Sequence, residues 1–419
     1  MKFLEDLAAR RRFGMRPGLD AILRVCASLG NPQEWVHAVH VAGTNGKGAV
    51  CAILDSCLRA AGYRVGRYTS PHLVQLNERF FLDGAPVSDE TLEKHSLYVK
   101  NAISKWGPSP QNGGLSPDEL TFFEALTAVG FDLFAAEKPN FTVLETGLGG
   151  RLDATNVCRP VVTVITRIGL DHCDWLGSTI AEIASEKAGI IKKGVPVVVG
   201  GNEDEALDVI KSRADEVGAP FVYAPDIASS DEIPSDFSLM GSFNRENAVT
   251  ALGVLRTMGV SGFERGFASV VWPGRFQRVG SFVIDGAHNP PAARALASAL
   301  TEGPRLENLI AGFCGDKDVD EVLRIIAPFV RRGFAVRTNN PRSLSAEATA
   351  EKMKLAGIDA IPCDSLKNAI AQAGAVPTLI CGSLFLAGEA LVELGAYPWG
   401  QSPDMRGQPP RFDPSERLK

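Results

Sequence analysis

The sequence predicts an α/β protein with mostly parallel sheets, and three observations carry that prediction. Apolar strand-like runs alternate with helix-like segments almost from end to end, which is the pattern of parallel sheets with helical crossovers. A glycine-rich turn, residues 43–48, joins the first run directly to a helical pattern. The alternation then starts afresh after Trp272-Pro273-Gly274-Arg275, so the chain of 419 residues divides into two units with a junction near 272–280.

In chain order the strand-like runs are 36–42, 64–68, 140–145, 161–166, 195–199, 219–223, 281–285, 307–312, 333–337 and 377–381. The helical patterns between them are 46–61, 88–104, 118–137, 179–188, 203–217, 244–258, 290–302, 318–330, 345–356 and 383–393. Two further segments break the alternation. Residues 107–117 (GPSPQNGGLSP) read as a flexible loop, and 224–240 are polar, contain proline and lack a helical period. The end of the chain, 398–419, holds five prolines and reads as an irregular tail. No short-period repeat or coiled coil is visible.

Bulk properties narrow the function classes. The chain is 45% hydrophobic and 22% charged, as expected of a globular protein. No apolar stretch reaches the roughly 18–20 residues of a bilayer span, and the acidic start MKFLED lacks the apolar core of a signal peptide. A net charge of −6 argues against a nucleic-acid partner, while a small anion held by local donors stays compatible. Eight cysteines without a CxxC pair fit neither a zinc ribbon nor a disulfide framework, so the reducing cytoplasm is the expected compartment.

The segment 40–50, HVAGTNGKGAV, is the most informative stretch. A Gly-rich turn between strand and helix exposes backbone N–H groups and a helix N-terminus, which suit phosphate, and Lys47 adds positive charge. The match to a Walker A loop is irregular. Val41 stands where the first glycine belongs, and Gly48 follows the lysine in place of Ser or Thr. Ala49 has no hydroxyl either, so a metal accompanying the nucleotide must be anchored outside the loop.

Further motifs follow in order: YTSPHL at 68–73 with NER at 77–79, LTFFE at 120–124, LETGLGGRLDATN at 144–156, GLDH and DWLG within 169–177, and SEKAGI at 185–190. The second half contributes GRFQ at 274–277, DGAHNP at 285–290, GDKD at 315–318 and CGSL at 381–384. Together they resemble the folylpolyglutamate synthase/dihydrofolate synthase family, a branch of the Mur-type ATP-dependent amide ligases, over about residues 15–390. DWLG together with GRFQ is more similar to the bacterial bifunctional enzymes than to the single-activity ones. Mur ligases place a UDP-sugar domain ahead of the P-loop; only 42 residues precede Gly43 here.

The resemblance implies a P-loop-containing N-terminal ATPase domain with a mostly parallel sheet and a pterin site (1–275), a smaller Rossmann-like C-terminal domain (280–395) and a tail (396–419). It implies joining of L-glutamate to dihydropteroate and to reduced folates through an acyl phosphate, with ATP as co-substrate giving ADP and phosphate. A monofunctional folylpolyglutamate synthase and a silent nucleotide-binding relative are the alternatives. Thr44, Asn45, Gly46, Lys47 and Gly48 would cradle the phosphates, with Asn247 on adenine, Arg275 on phosphate and Asp285 on the nucleotide. Ser70, Glu145 and His172 would hold Mg²⁺, two ions in the family, and Lys187 would be carbamylated. His288, Lys317 and Ser383 would contact glutamate or the acyl phosphate. Arg16, Thr121, Phe122, Phe123, Glu124, Leu152, Asp153 and Ala154 would form the dihydropteroate/folate site. Each has a plainer reading: a turn-capping serine, a buried histidine, a solvated lysine or exposed arginine, core phenylalanines. Phe243 stands where many relatives have histidine. The family suggests a cytoplasmic monomer with no nucleic-acid or membrane partner.

Overall fold

The computed structural model describes Phe3, Leu4, Leu7 and residues 18–106, 120–301, 303 and 305–400. The predicted loop 107–117, Arg16 and the tail from 401 onward lie outside the described residues.

Among the described residues fourteen strands form two sheets. In the first lobe these are β1 (Ala38–Ala42), β2 (Val65–Tyr68), β3 (Phe80–Leu82), β4 (Ala85–Pro86), β5 (Phe141–Glu145), β6 (Val162–Ile165), β7 (Val197–Val199) and β8 (Phe221–Tyr223). In the second they are β9 (Gln277–Val279), β10 (Phe282–Ile284), β11 (Asn308–Ala311), β12 (Arg332–Ala335), β13 (Asp359–Pro362) and β14 (Thr378–Cys381). The first sheet runs β4-β3-β2-β5-β1-β6-β7-β8 and the second β13-β12-β11-β14-β10-β9. Pairing is parallel except for the hairpin edge β2-β3-β4 and the β9–β10 pair. All ten strand-like runs became strands. The four missed among the described residues, β3, β4, β9 and β13, are two to four residues long, and all of them lie at or next to a sheet edge, where no double-faced apolar run is required.

Strand β1 shows why the central strands were legible. All five of its residues are buried, because helices cover both faces of a parallel sheet. One face packs against the helices Lys47–Ala60 and Ser242–Thr257, with Val50, Ile53, Leu54, Ala251 and Leu255 in one core. The other packs against Asp20–Ser28, Asp89–Ser104 and Phe122–Glu137, with Ile22, Leu92, Leu126 and Phe134. The polar exception, His40, is fully buried, bonded to Thr155 Oγ1 at 2.7 Å, and held far below the usual range by burial, at about 3.

Two predicted irregularities need correction. Segment 224–240 contains a short helix, Ala224–Ile227, and a 3₁₀ turn at Ser230–Glu232, too brief for a helical period to show. Residues 397–400, assigned to an irregular tail, pack back on the first lobe: the Trp399 ring meets Phe81 edge-on at 5.1 Å. The helices Asp20–Ser28 and Leu366–Ala373 were also not anticipated.

Candidate active site

Strand order creates the site. The chain leaves β1 toward one edge of the sheet and, from β6 onward, builds the other, so connections part at the carboxyl ends of β5, β1 and β6. Such a reversal leaves a crevice where α/β proteins bind ligands. The register sets Val41 beside Glu145 and Ala42 beside Ile165. The loop after β1, the last residue of β5, the turn after β2 with Ser70 and the segment after β6 with Asp171 and His172 therefore open on the same crevice.

The loop after β1 is folded by its own hydrogen bonds. The amides of Thr44 and Asn45 donate to the Arg167 carbonyl at 2.9 and 3.2 Å, and Thr44 Oγ1 donates to the Gly169 carbonyl at 3.0 Å. These groups are turned inward. The N–H groups left without a partner among the described residues are those of Gly46, Lys47, Gly48 and Ala49 at the start of the helix Lys47–Ala60. Gly46 caps that helix at φ 85°, and a Cβ there would stand 2.1 Å from Asn247 Oδ1, so only glycine meets both demands. Asn247 thus lies directly over the loop. Lys47 Nζ bends back onto the carbonyls of Gly43 and Thr44 at 3.0 and 3.2 Å. Helix-end amides beside a flexible cation form an anion site.

Glu145 is 3% exposed, and its Oε2 accepts the Ser70 amide at 2.9 Å. Burial pushes its carboxyl up from the ordinary value, against the opposing pull of Lys47, the Ser70 amide, Arg275 and Arg79. Lys187 is no solvated lysine: it is 3% exposed and donates to the Gly43 carbonyl at 2.8 Å. Burial first, and Lys47 second, lower its pKa to about 7. His172 is not buried; it occupies the N-cap of the short helix Cys173–Leu176 at φ 54° with no side-chain capping bond, its exposed ring 3.9 Å from Asp171. Partial burial lowers its pKa, opposed by Asp171 and assisted by Lys317, Lys47 and Lys187.

Ser70, Glu145 and His172 were expected as metal ligands. Among the described residues no group of three or more His, Cys, Asp or Glu side chains is arranged to hold a metal. The donor set nevertheless fits magnesium, which takes one or two carboxylates, phosphate oxygens and waters in place of an all-protein cage. Glu145 and the Ser70 hydroxyl are the hard oxygen donors at the crevice.

The second lobe meets the crevice through the junction and through the strand–helix turns of its sheet. Asp285 receives the amides of Phe276 and Ala287, both at 2.7 Å, and burial raises its pKa against Arg275. Burial lowers Arg275, while Asp285 and Glu145 oppose the shift, so this guanidinium lies between carboxylates of both lobes. His288 Nδ1 donates to the Gly286 carbonyl at 2.8 Å, and burial lowers its pKa, with Lys317, Arg275 and Asp171 also felt. Ser383 is buried as the N-cap of Leu384–Glu393, its hydroxyl accepting the Phe385 amide at 3.1 Å. Asn289 Nδ2 reaches across to Asp171 Oδ2 at 2.8 Å, a link between the lobes that the motif reading passed over although both residues lie in its motifs.

The expected pterin residues divide. Thr121 and Glu124 form the capping box of Phe122–Glu137, with Glu124 Oε2 accepting the Thr121 hydroxyl at 2.7 Å. Asp153 spends both oxygens on the loop 147–155, accepting the amides of Gly147, Leu148 and Thr155. Ala154 is buried. Phe122, Phe123 and Leu152 are partly open. Phe122 lies under the Arg79 guanidinium at 5.7 Å, and Phe123 packs over Gly147. Sequence reasoning missed Arg79, whose Nε donates to His72 Nδ1 at 2.9 Å, and Trp272, which lies against Gly48. Both stand within or beside quoted motifs.

Residues 274–379 match the Mur ligase, glutamate ligase domain. The chain is 37% identical over 326 residues to the dihydrofolate synthase/folylpolyglutamate synthase of Bacillus subtilis, spanning 70% of this chain and 74% of that one. It is similar to E. coli FolC in complex with DHPP and ADP, with a TM-score of 0.83 and 32% identity over 94% of this chain and 97% of that chain. A bifunctional folylpolyglutamate synthase/dihydrofolate synthase with Mn, AMPPNP and L-glutamate bound matches with a TM-score of 0.80 and 30% identity, over 94% and 98% of the two chains. Two sheets in this order, a phosphate-type loop after β1 and these similarities agree: the chain belongs to the folylpolyglutamate synthase/dihydrofolate synthase family of Mur-type ligases.

Proposed function

We propose that the chain is an ATP-dependent ligase that joins L-glutamate to dihydropteroate and to reduced folates, acting as a monomer in the cytoplasm. The observation that carries this reading is the convergence of Lys47, Glu145, Ser70 and Lys187 at adjacent strand ends, faced by Arg275, Asp285 and His288 of the second lobe. The relatives with ADP, DHPP, AMPPNP, Mn and L-glutamate in their descriptions support it.

A carboxylate resists amide formation because its oxygen is a poor leaving group. Phosphorylation by ATP converts it to an acyl phosphate, which the glutamate amine attacks with release of phosphate. The protein's task is to gather anions, align them and exclude water. The amides of 46–49, Lys47 and Arg275 neutralise the phosphates, and Asn247, already over the loop, reads adenine. Glu145, Ser70 and His172 would hold Mg²⁺, two ions in this reading, which would supply neutralisation of phosphate charge when bound. Lys187, with a pKa near 7, is neutral often enough to take up CO₂ as a carbamate, turning a cation into a carboxylate-like group. With Nδ1–H committed to the Gly286 carbonyl, His288 keeps its lone pair on Nε2, ready for the proton the glutamate amine loses. Lys317 and Ser383 contact glutamate. Phe122 and Phe123 offer ring faces to the pterin, with Thr121, Glu124, Leu152, Asp153 and Ala154 shaping the loops around it.

Purified protein incubated with ATP, Mg²⁺, L-glutamate and dihydropteroate should yield ADP and dihydrofolate in equal amounts; with reduced folates it should extend the glutamate chain. Extension without dihydrofolate formation would leave a monofunctional folylpolyglutamate synthase. ATP binding without turnover on either acceptor would overturn the reading.

A further inference from the structure

The turn that carries Ser70 is gripped from both lobes. At one end the Ser70 amide is tied to Glu145. At the other, the buried Glu78 carboxylate accepts the amides of Leu73 and Val74 at 2.8 Å and of Gln75 at 2.6 Å. A fourth donor to Glu78 comes from the far end of the described chain: the Tyr397 hydroxyl, at 2.6 Å. Burial and the neighbouring Glu78 both push the Tyr397 phenol up, so it stays protonated and donates. Two residues on, Trp399 packs edge-on against Phe81 and at 5.6 Å against Tyr397 itself. Gln75 Nε2 then donates to the Gly400 carbonyl at 2.9 Å.

The same turn is wedged into the second lobe. Leu73 packs with Leu386, Ala387 and Ala390 of the helix Leu384–Glu393. A Cβ at Gly388 would lie 2.6 Å from the Leu73 carbonyl oxygen, so the helix and the turn are in backbone contact. Residues 73–78 are thus in contact with both lobes, and only Pro71 and His72 separate them from Ser70.

We propose that residues 397–400 form a strap through which the second lobe sets the position of the 70–78 turn, with Tyr397 as a positioning residue that keeps Ser70 in register with Glu145. The role assigned to Ser70 rests on the ligase reading above, but the mechanical link does not. Glu78 and Tyr397 touch neither nucleotide nor acceptor in this scheme; they transmit the lobe arrangement to a residue that does.

The test is Tyr397→Phe, which keeps the ring and deletes one donor, with Gly388→Ala as a second variant that presses on the same turn. Amide hydrogen exchange at Leu73, Val74 and Gln75 should quicken about tenfold in Tyr397→Phe, the effect of losing one hydrogen bond to a charged group. Exchange in the helix Lys47–Ala60 should not change. Mn²⁺ titrated against the AMPPNP-loaded protein, followed by the electron paramagnetic resonance of the free ion, should bind several-fold more weakly in both variants, while AMPPNP affinity without metal stays constant. Ligation should show a raised half-saturating metal concentration with kcat within about twofold. Unchanged exchange at 73–75, exchange raised equally across the chain, or unchanged Mn²⁺ affinity would each overturn the strap. A wild-type protein without ligase activity would instead sink the functional reading, leaving the exchange result to stand separately.

Discussion

Lys187 allows a quantitative prediction. An ordinary lysine with a pKa of ~10.4 is neutral in only about one molecule in two to three thousand at pH 7. At about 7, the Lys187 amine is half neutral at that pH, a gain of roughly three orders of magnitude in the form that reacts with CO₂. In protein equilibrated with [¹³C]bicarbonate, one carbamate carbon signal should therefore develop with a midpoint near pH 7, once corrected for dissolved CO₂. It should be absent from Lys187→Met. The linkage sign is fixed by the lowered pKa. Between about 7 and the unfolded value near 10.5, the unfolded chain holds a proton that the folded chain has released. Stability from this group therefore rises with pH across that window and is lowest below pH 7, where a buried ammonium must be tolerated. The span is at most about 5 kcal/mol, so urea midpoints of wild type minus Lys187→Met should climb from pH 7 to pH 9. A carbamate signal that follows the ionisation of ordinary lysines, or a flat difference in urea midpoints, would refute the burial argument.

Glu145→Ala should abolish ligation, by ~10²-fold or more, while Ala49→Ser should change ATP affinity only a few-fold by calorimetry if, as proposed above, the metal is anchored outside the loop. Reversal of those two effects would remove Glu145 from the site. Gly48→Ala would place a methyl 2.3 Å from Trp272 Cζ2, so nucleotide affinity should fall about tenfold or more as the indole or the helix start is displaced. Thr121→Ala deletes a capping-box hydroxyl and should cost ~1 kcal/mol in denaturant unfolding; an unchanged KM for dihydropteroate would confine Thr121 to the cap.

The parts of the protein legible from the linear chain share one property: their pattern has a local cause. β1, β6 and β14 are buried along their whole length and β5 at every residue but its first, so they had to read as apolar runs. The loop 43–48 was visible because phosphate-binding backbone needs glycine. Edge strands such as β4 and β13 were not, since a short strand with an open side is under no such demand. The same logic divides the site. Lys47, Glu145 and Lys187 sit in motifs, but burial decides what they are chemically. In the sequence Lys187 is a lysine beside a glutamate; only its enclosure against Gly43 makes it a near-neutral amine.

By itself the sequence determined the α/β class, the family and the identity of the chemical groups, because strand periodicity, glycine demands and ordered motifs are written locally. Tertiary structure alone decided which amides of the loop stay available, which polar groups of Thr121, Glu124 and Asp153 were already committed, and that the start of a supposed tail reaches Glu78. Those outcomes depend on contacts between residues up to 319 positions apart, and no local pattern encodes the partner at that distance.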